Sequence, residues 1–294
     1  METINIIGNK YKLIKQIGSG SFGSIFEGIN IRTNEKVAIK IELISDELKL
    51  LKHESNIYRL LTNVDGVPKI KWYGKDDLYY YMVIDLFGES LQDLMNKSNK
   101  LSLKVVLQIG INVLHILMKI HDNGFIHRDI KPENFLLTLN KPRKVVLIDF
   151  GISKHYLINN QHIEFKHKNK FLGTLNFASI NAHKLYEHSR RDDLESVAYM
   201  LIYFLLGELD WMDAVNEDNN HYNSINFDNF ESENNYVRSK KESITINNND
   251  NNIPKVLLEF YENIRRLEFE ERPNYEKYID SFRQQLNKIN NYVE

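Results

Sequence analysis

Apolar and polar positions change their period once along this chain. In the first 86 residues they alternate: Tyr11, Leu13 and Ile17 form one set, Ile25, Ile29 and Ile31 a second, and Val37, Ile39 and Ile41 a third. Period two marks strands with one buried face. A helical segment over 46–61 interrupts them, and a further strand is predicted at 80–86. After Gly88 the period lengthens. Leu103, Val106, Leu107, Gly110, Leu114, Leu117 and Met118 recur at helical spacing, and Asn123-Gly124 supply a stop. Short strand-like pieces at 135–137 and 145–148 break the helical run, and helices are expected at about 192–206, 255–267 and 275–288. The pattern predicts an α+β chain of two unequal lobes, strand-rich over 1–86 and mainly helical over 87–294, with a cleft between them.

Residues 216–252 depart from both periods. They are rich in Asn and acidic groups with few aliphatics, which predicts a surface loop or insertion. Across the whole 294-residue chain, 42% hydrophobic and 27% charged residues suit a globular protein with a sizeable core. The formal net charge of −2 gives no reason to expect nucleic acid or a membrane surface as a partner. There are no cysteines, so disulfides and thiolate metal sites are excluded. The opening METINIIGNKYKL lacks a basic region followed by a long apolar core. The apolar run 197–206 is shorter than the roughly 20 residues that span a bilayer. The expectation is a monomer of the cytoplasm or nucleus, neither secreted nor membrane-spanning.

Gly18, Gly20 and Gly23 form GxGxxG. A dinucleotide fingerprint would open a helix here, whereas strand alternation continues through Ile25–Ile31. A Walker loop would carry Lys and Ser or Thr after its last glycine, whereas Ser24 and Ile25 follow Gly23. A glycine-rich hairpin able to lie over a triphosphate remains. Lys40 closes the run Val37-Ala38-Ile39-Lys40 and shares a strand face with Ala38. Glu54 interrupts the helical stripe Leu50, Ile57 and Leu61 with a carboxylate, which needs a cation if buried. Lys40 is the candidate partner.

The run His127-Arg128-Asp129-Ile130-Lys131-Pro132-Glu133-Asn134, followed later by Asp149-Phe150-Gly151, carries the most specific chemistry. Phosphoryl transfer demands positioning and charge neutralisation more than covalent catalysis. Asp129 is suited to orient a substrate hydroxyl and accept its proton, and Lys131 to neutralise the moving phosphoryl. Asn134 and Asp149 offer hard oxygen ligands suited to Mg²⁺. His127 is read as a packing and hydrogen-bonding group.

In this order the motifs resemble the eukaryotic protein kinases, and Lys131-Pro132-Glu133-Asn134 resembles the Ser/Thr-specific branch. The usual Ala-Pro-Glu is missing. Gly173-Thr174, Ala178-Ser179-Ile180-Asn181-Ala182-His183 and Ser189-Arg190-Arg191-Asp192-Asp193-Leu194-Glu195-Ser196 stand in its place. That combination is similar to the casein kinase 1 family, as are Leu86-Phe87-Gly88-Glu89-Ser90-Leu91, His53-Glu54-Ser55 and Asn134-Phe135-Leu136. The resemblance implies a bilobal protein-kinase fold, with a small antiparallel sheet and one key helix in the first lobe and a larger helical second lobe. It implies ATP with Mg²⁺ as cofactors and acidic proteins phosphorylated on Ser or Thr. Catalytic roles would fall to Asp129, Lys131, Lys40 and Glu54. ATP would meet the hairpin residues Ile17, Gly18, Ser19, Gly20, Ser21, Phe22, Gly23 and Ile25. Its base would lie against Ala38 and Ile84, with backbone groups of Asp85, Leu86 and Phe87 at the hinge. Asp193 would brace the catalytic loop.

Between Lys154 and Gly173 the only hydroxyl is that of Tyr156, so activity without phosphorylation of this loop is expected. Lys166, Lys168 and Lys170, with His162 and His167 between them, are a candidate anion site. The histidines lack the spacing of a zinc site. Asn176 stands where the family usually has arginine, and 217–233 runs acidic where the family is basic, which predicts altered substrate preference. Lys240 and Lys241 are candidate compensating cations. Two rivals are a nucleotide-binding pseudokinase or scaffold, and a kinase of small molecules or lipids. The first predicts loss of Lys40, Asp129, Asn134 or Asp149, and all four are present.

Overall fold

The structure, a computed structural model, describes residues 6–20, 23–44, 50–215, 227–244 and 252–291. Two compact units emerge, Met1–Glu89 with Phe135–Ser153, and Ser90–Asn134 with Lys154–Glu294. A single division after residue 86 therefore misses the hairpin that follows Asn134. Its backbone is tied to the first unit, where the Leu147 amide donates to the Gly66 carbonyl at 2.8 Å and that of Gly88 to the Leu137 carbonyl at 2.7 Å.

In the first unit, six antiparallel strands stand in the order β1 (Ile6–Ile7), β2 (Tyr11–Gly20), β3 (Gly23–Asn30), β4 (Lys36–Leu43), β6 (Tyr79–Asp85) and β5 (Ile70–Lys75). One face closes over a core of Ile7, Tyr11, Val37, Ile39 and Val83. The other face carries Ala38 and Lys40, opposite Ile84 and Met82 of β6. Strict alternation would bury Ile17 with Tyr11, but register shifts after Leu13 and Gln16 leave it exposed. The helix α1 (Leu50–Leu60) buries Leu51, Glu54, Ser55, Ile57 and Tyr58. Residues 46–49 of its predicted span lie outside the described residues. A hairpin of β8 (Phe135–Leu137) and β9 (Val145–Leu147) completes the unit.

The second unit is helical: α2 (Leu91–Ser98), α3 (Leu103–Asp122), α4 (Ile180–His183), α5 (Arg190–Leu206), α6 (Phe227–Glu242), α7 (Lys255–Arg265) and α8 (Tyr275–Asn291). Small pairings add β7 (Phe125–Ile126) with β10 (Lys154–His155), and β11 (Leu157–Ile158) with β12 (Gln161–His162). Packing centres on α3 and α5, with α7 and α8 against them. Among the described residues, α3 alone has the length and apolar content to cross a bilayer. Val106, Leu107, Val113, Leu114, Leu117 and Ile120 of α3 are wholly buried in the core. Helix α5 is buried on nearly every side, its polar first turns included.

Part of the expected 216–252 loop is helix α6. Phe230, Asn234, Val237 and Lys241 recur at helical spacing on the side that packs inward, and Asn234, Val237 and Lys241 are buried. Two of those four inward positions are polar, which hides the stripe from a hydrophobicity reading. Residues 216–226 and 245–251 of that segment lie outside the described residues.

Candidate active site

The charged cluster of the first unit begins on β4. Lys40 Nζ lies 2.8 Å from Glu54 Oε2 and 3.2 Å from Asp149 Oδ1. The Glu54 side chain is 2% exposed, that of Lys40 17% and that of Asp149 33%. Burial alone would depress the Lys40 ammonium, but the Asp149 and Glu54 carboxylates reverse this and hold its pKa above the usual lysine range. Burial pushes Glu54 up against the pull of Lys40. The expected partner of Glu54 is thus Lys40, and Asp149 shares it.

Helix α1 positions this cluster at several points. Glu42, two residues beyond Lys40 on β4, accepts from the Leu51 amide at 2.8 Å and caps the helix start. Tyr58, one turn after Glu54, accepts from the Asp149 amide at 3.1 Å and meets Phe150 edge-on at 5.1 Å. His53 Nε2 donates to the Ser153 carbonyl at 2.8 Å. Asp149 has φ +66, a left-handed conformation uncommon for a side-chain-bearing residue and frequent at functional sites. Tyr58 and Glu42 were not singled out from the sequence. The spacing Glu54–Tyr58 on one helix face is the signal that would have found the first.

The glycine hairpin pairs Gly18 with Ile25, Ser19 with Ser24 and Gly20 with Gly23, and Ile25 with Lys40 on the next strand. Ser21 and Phe22 lie outside the described residues. Gly23 is required by the fold, having φ +141 and an imagined Cβ 2.1 Å from the Ile41 carbonyl oxygen. Gly18 is not so constrained. A Cβ there would meet Ile25 no closer than 3.7 Å, so packing within the protein leaves this glycine unexplained, whereas close approach of a ligand would account for it. Ala38 and Ile84 are paired neighbours on the half-buried face of the sheet. The Asp85 carboxylate is turned to Lys71 at 2.9 Å, and Leu86 and Phe87 beside it are half-buried.

In the second unit, Asp129 is the centre. Its Oδ1 accepts from the Thr174 hydroxyl at 2.7 Å, and its Oδ2 lies 3.0 Å from Lys131 Nζ. Lys131 also donates to Thr174 Oγ1 at 3.1 Å. Asn134 Nδ2 donates to the Asp129 carbonyl at 2.8 Å and lies 3.3 Å from Asp129 Oδ2. Since a carbonyl only accepts, the amide nitrogen must face Asp129, and Asn134 Oδ1 becomes the ligating end. That oxygen and the Asp149 carboxylate are hard donors of the kind Mg²⁺ takes. Each group, by its donor chemistry, suits the ion.

The loop itself hangs from α5. Asp193 accepts from the amides of His127 and Arg128 at 2.7 and 2.8 Å and from His121 Nε2 at 2.9 Å. Burial would raise the Asp193 carboxyl, but the His121 bond and the neighbouring amides hold it below the usual range. Arg128 takes φ +72, and Asp193 pins both the Arg128 amide and the one before it. Thr174 was named from the sequence only as part of the Gly173-Thr174 motif, without a role, and nothing in the pattern around His121 marks it.

The basic loop is largely spoken for. Lys154 and Lys168 reach the fully buried Glu187 at 2.9 and 3.3 Å. Burial opposes ionisation there, yet the two ammonium groups hold the Glu187 carboxyl below its usual range. The His162 ring sits against Tyr156 and Phe269, and that of His167 against Tyr186. Lys166 and Lys170 remain exposed. Lys241, a candidate anion contact from the sequence, is wholly buried and unavailable to one, and Lys240 lies over the Tyr236 ring. A family model of the protein kinase domain matches residues 11–282, nearly the whole chain.

Proposed function

Because the chain belongs to the protein kinase family, we propose that it is an ATP-dependent Ser/Thr protein kinase of casein kinase 1 type. The observation that carries this is the Asp129 carboxylate, held on both oxygens by Lys131, Asn134 and Thr174. In the reaction, Asp129 orients the acceptor hydroxyl and takes its proton as the oxygen attacks the γ-phosphorus. Lys131 neutralises charge growing on the transferred group. Lys40, kept fully protonated by its two carboxylates, binds the α- and β-phosphates, and the glycine hairpin covers them. Asn134 and Asp149 each offer an oxygen to Mg²⁺, which would supply charge neutralisation at the phosphates.

Lys131-Pro132-Glu133-Asn134, and Gly173-Thr174 with Ala178-Ser179-Ile180-Asn181-Ala182-His183 in place of Ala-Pro-Glu, support the Ser/Thr and casein kinase 1 parts of the reading. A pseudokinase is disfavoured, since Lys40, Asp129, Asn134 and Asp149 are all present and engaged. Incubation with ATP, Mg²⁺ and casein tests the proposal. Phosphoserine and phosphothreonine on casein are expected, and ATP binding without transfer would refute it.

The activation loop supports autonomy. The Tyr156 ring is buried, and its hydroxyl donates to the His121 carbonyl at 2.7 Å and accepts from Arg190 at 3.1 Å. Such a hydroxyl is closed to phosphorylation in the folded protein. Protein made in bacteria and treated with phosphatase is expected to keep its activity, and loss of activity would contradict this.

A further inference from the structure

Helix α6 carries an ammonium group that the reaction above does not use. Lys241 is fully buried. Its Nζ donates to the carbonyl oxygens of Leu175 and Ala178, both at 2.8 Å, and to His183 Nε2 at 2.9 Å. The Tyr199 and Trp211 ring centres lie 4.7 and 5.3 Å away, presenting π-faces to the cation. Asn234, two turns earlier on the same helix, fixes His183 by bonding both its ring and its carbonyl. The Tyr261 hydroxyl donates to the Lys241 carbonyl. An ammonium has three hydrogens, and all three are directed at one short stretch, residues 175–183. No carboxylate among the described residues forms an ion pair with it.

That stretch is the continuation of Thr174. The amides of Phe177 and Ala178 both donate to the Thr174 carbonyl, at 3.0 and 2.8 Å, so residues 174–178 form one closed turn. Trp211 Nε1 donates to the Asn176 carbonyl at 3.0 Å. The carbonyls of Leu175, Asn176 and Ala178 are thus gripped by side chains from outside the turn. At the head of the turn stands the Thr174 hydroxyl, which touches both Asp129 and Lys131. A turn shifted by ~1 Å would carry that hydroxyl away from the carboxylate, a displacement large enough to cost rate.

We propose that Lys241 is a positioning residue for phosphoryl transfer, clamping the 174–178 turn so that Thr174 holds Asp129 in register with the acceptor hydroxyl. This rests on the kinase reading, so the experiment first measures wild-type transfer to casein or a peptide. No wild-type transfer would overturn that reading itself. With an active wild type, K241M is expected to lower kcat/KM for the peptide about 30- to 100-fold while the KM for ATP stays within about twofold. T174A added to K241M should then change little, because the first substitution has already released the hydroxyl. Unchanged peptide kinetics, equal damage to the ATP KM, or full additivity with T174A would each overturn the proposal. Should K241M fail to fold, W211F decides, since it keeps an aromatic ring and loses only the N–H to Asn176. A fall of about three- to tenfold, again confined to the peptide, is expected, and wild-type kinetics in W211F would refute the clamp.

Discussion

Lys40 and Lys241 both hold an ammonium out of water, and they do so by opposite means. Lys40 sits on a half-buried sheet face between two carboxylates, and its side chain keeps 17% exposure. Lys241 is wholly enclosed and bonds to two backbone carbonyls and a neutral imidazole. Burial acts the same way on each, yet the outcomes diverge. Glu54 and Asp149 lift Lys40 above the usual lysine range, while Lys241, desolvated with no bonded anion, falls well below it. A charge balanced by carboxylates on a partly open face can be lent to a phosphate. A charge absorbed by backbone carbonyls is committed to shape. The contrast separates a lysine that works on a ligand from one that works on the fold.

The sharpest way to break the comparison is at the open site. D149N should lower phosphoryl transfer on the order of 10³-fold or more, with the thermal midpoint little changed because Lys40 retains Glu54. Casein phosphorylation and a thermal melt on one preparation check this, and retained transfer would remove the metal-holding role of Asp149.

Next comes the pair of lysine substitutions compared directly. K40M should lose transfer by about 10²-fold or more. Its fold should persist because Glu54 can take up a proton once its partner is gone. K241M should show the reverse balance, losing about 2–4 kcal/mol of stability as the Leu175 and Ala178 carbonyls are left unpaired, with a smaller loss of activity. Denaturant titration beside kinetics measures both. Equal stability losses would erase the distinction.

The smallest expected effect is a pH dependence at Glu54. Its folded pKa is raised, so on acidification it takes a proton at a pH above the value of about 4.3 for an exposed glutamate. The Lys40 pair is present above the raised pKa and weakens as pH falls through it. The sign for stability is opposite. A raised carboxyl contributes stability below its unfolded pKa and loses it as pH rises through the folded one. kcat/KM for ATP should therefore bend downward in mild acid without a matching fall in melting temperature. E54Q should lack that bend, and the same bend in E54Q would assign it to another group.

Much of the molecule was readable before any coordinates. The strands at 23–30 and 36–43 follow from alternation in a sheet with one wet face, α3, α7 and α8 from apolar stripes wide enough to register, and α5 from an apolar run. Lys40, Glu54, Asp129, Lys131, Asn134 and Asp149 were readable because each lies in a short run whose chemistry is local. Helix α6 was not, because half of its inward positions are Asn234 and Lys241, and such residues read as solvated until something is seen to cover them.

By itself, then, the amino-acid sequence determined which groups could bind phosphate, hold a metal and accept a proton, together with the strand and helix periods that carry them. Apart from the Lys40–Glu54 pair, tertiary structure alone decided the partners named here. Tyr58 reaches Asp149 across 91 residues, Thr174 reaches Asp129 across 45, and Lys241 reaches Leu175 across 66. The physical reason is burial. Whether a lysine is a surface charge or a clamp depends on the dielectric and the acceptors around it, and only the folded chain sets those.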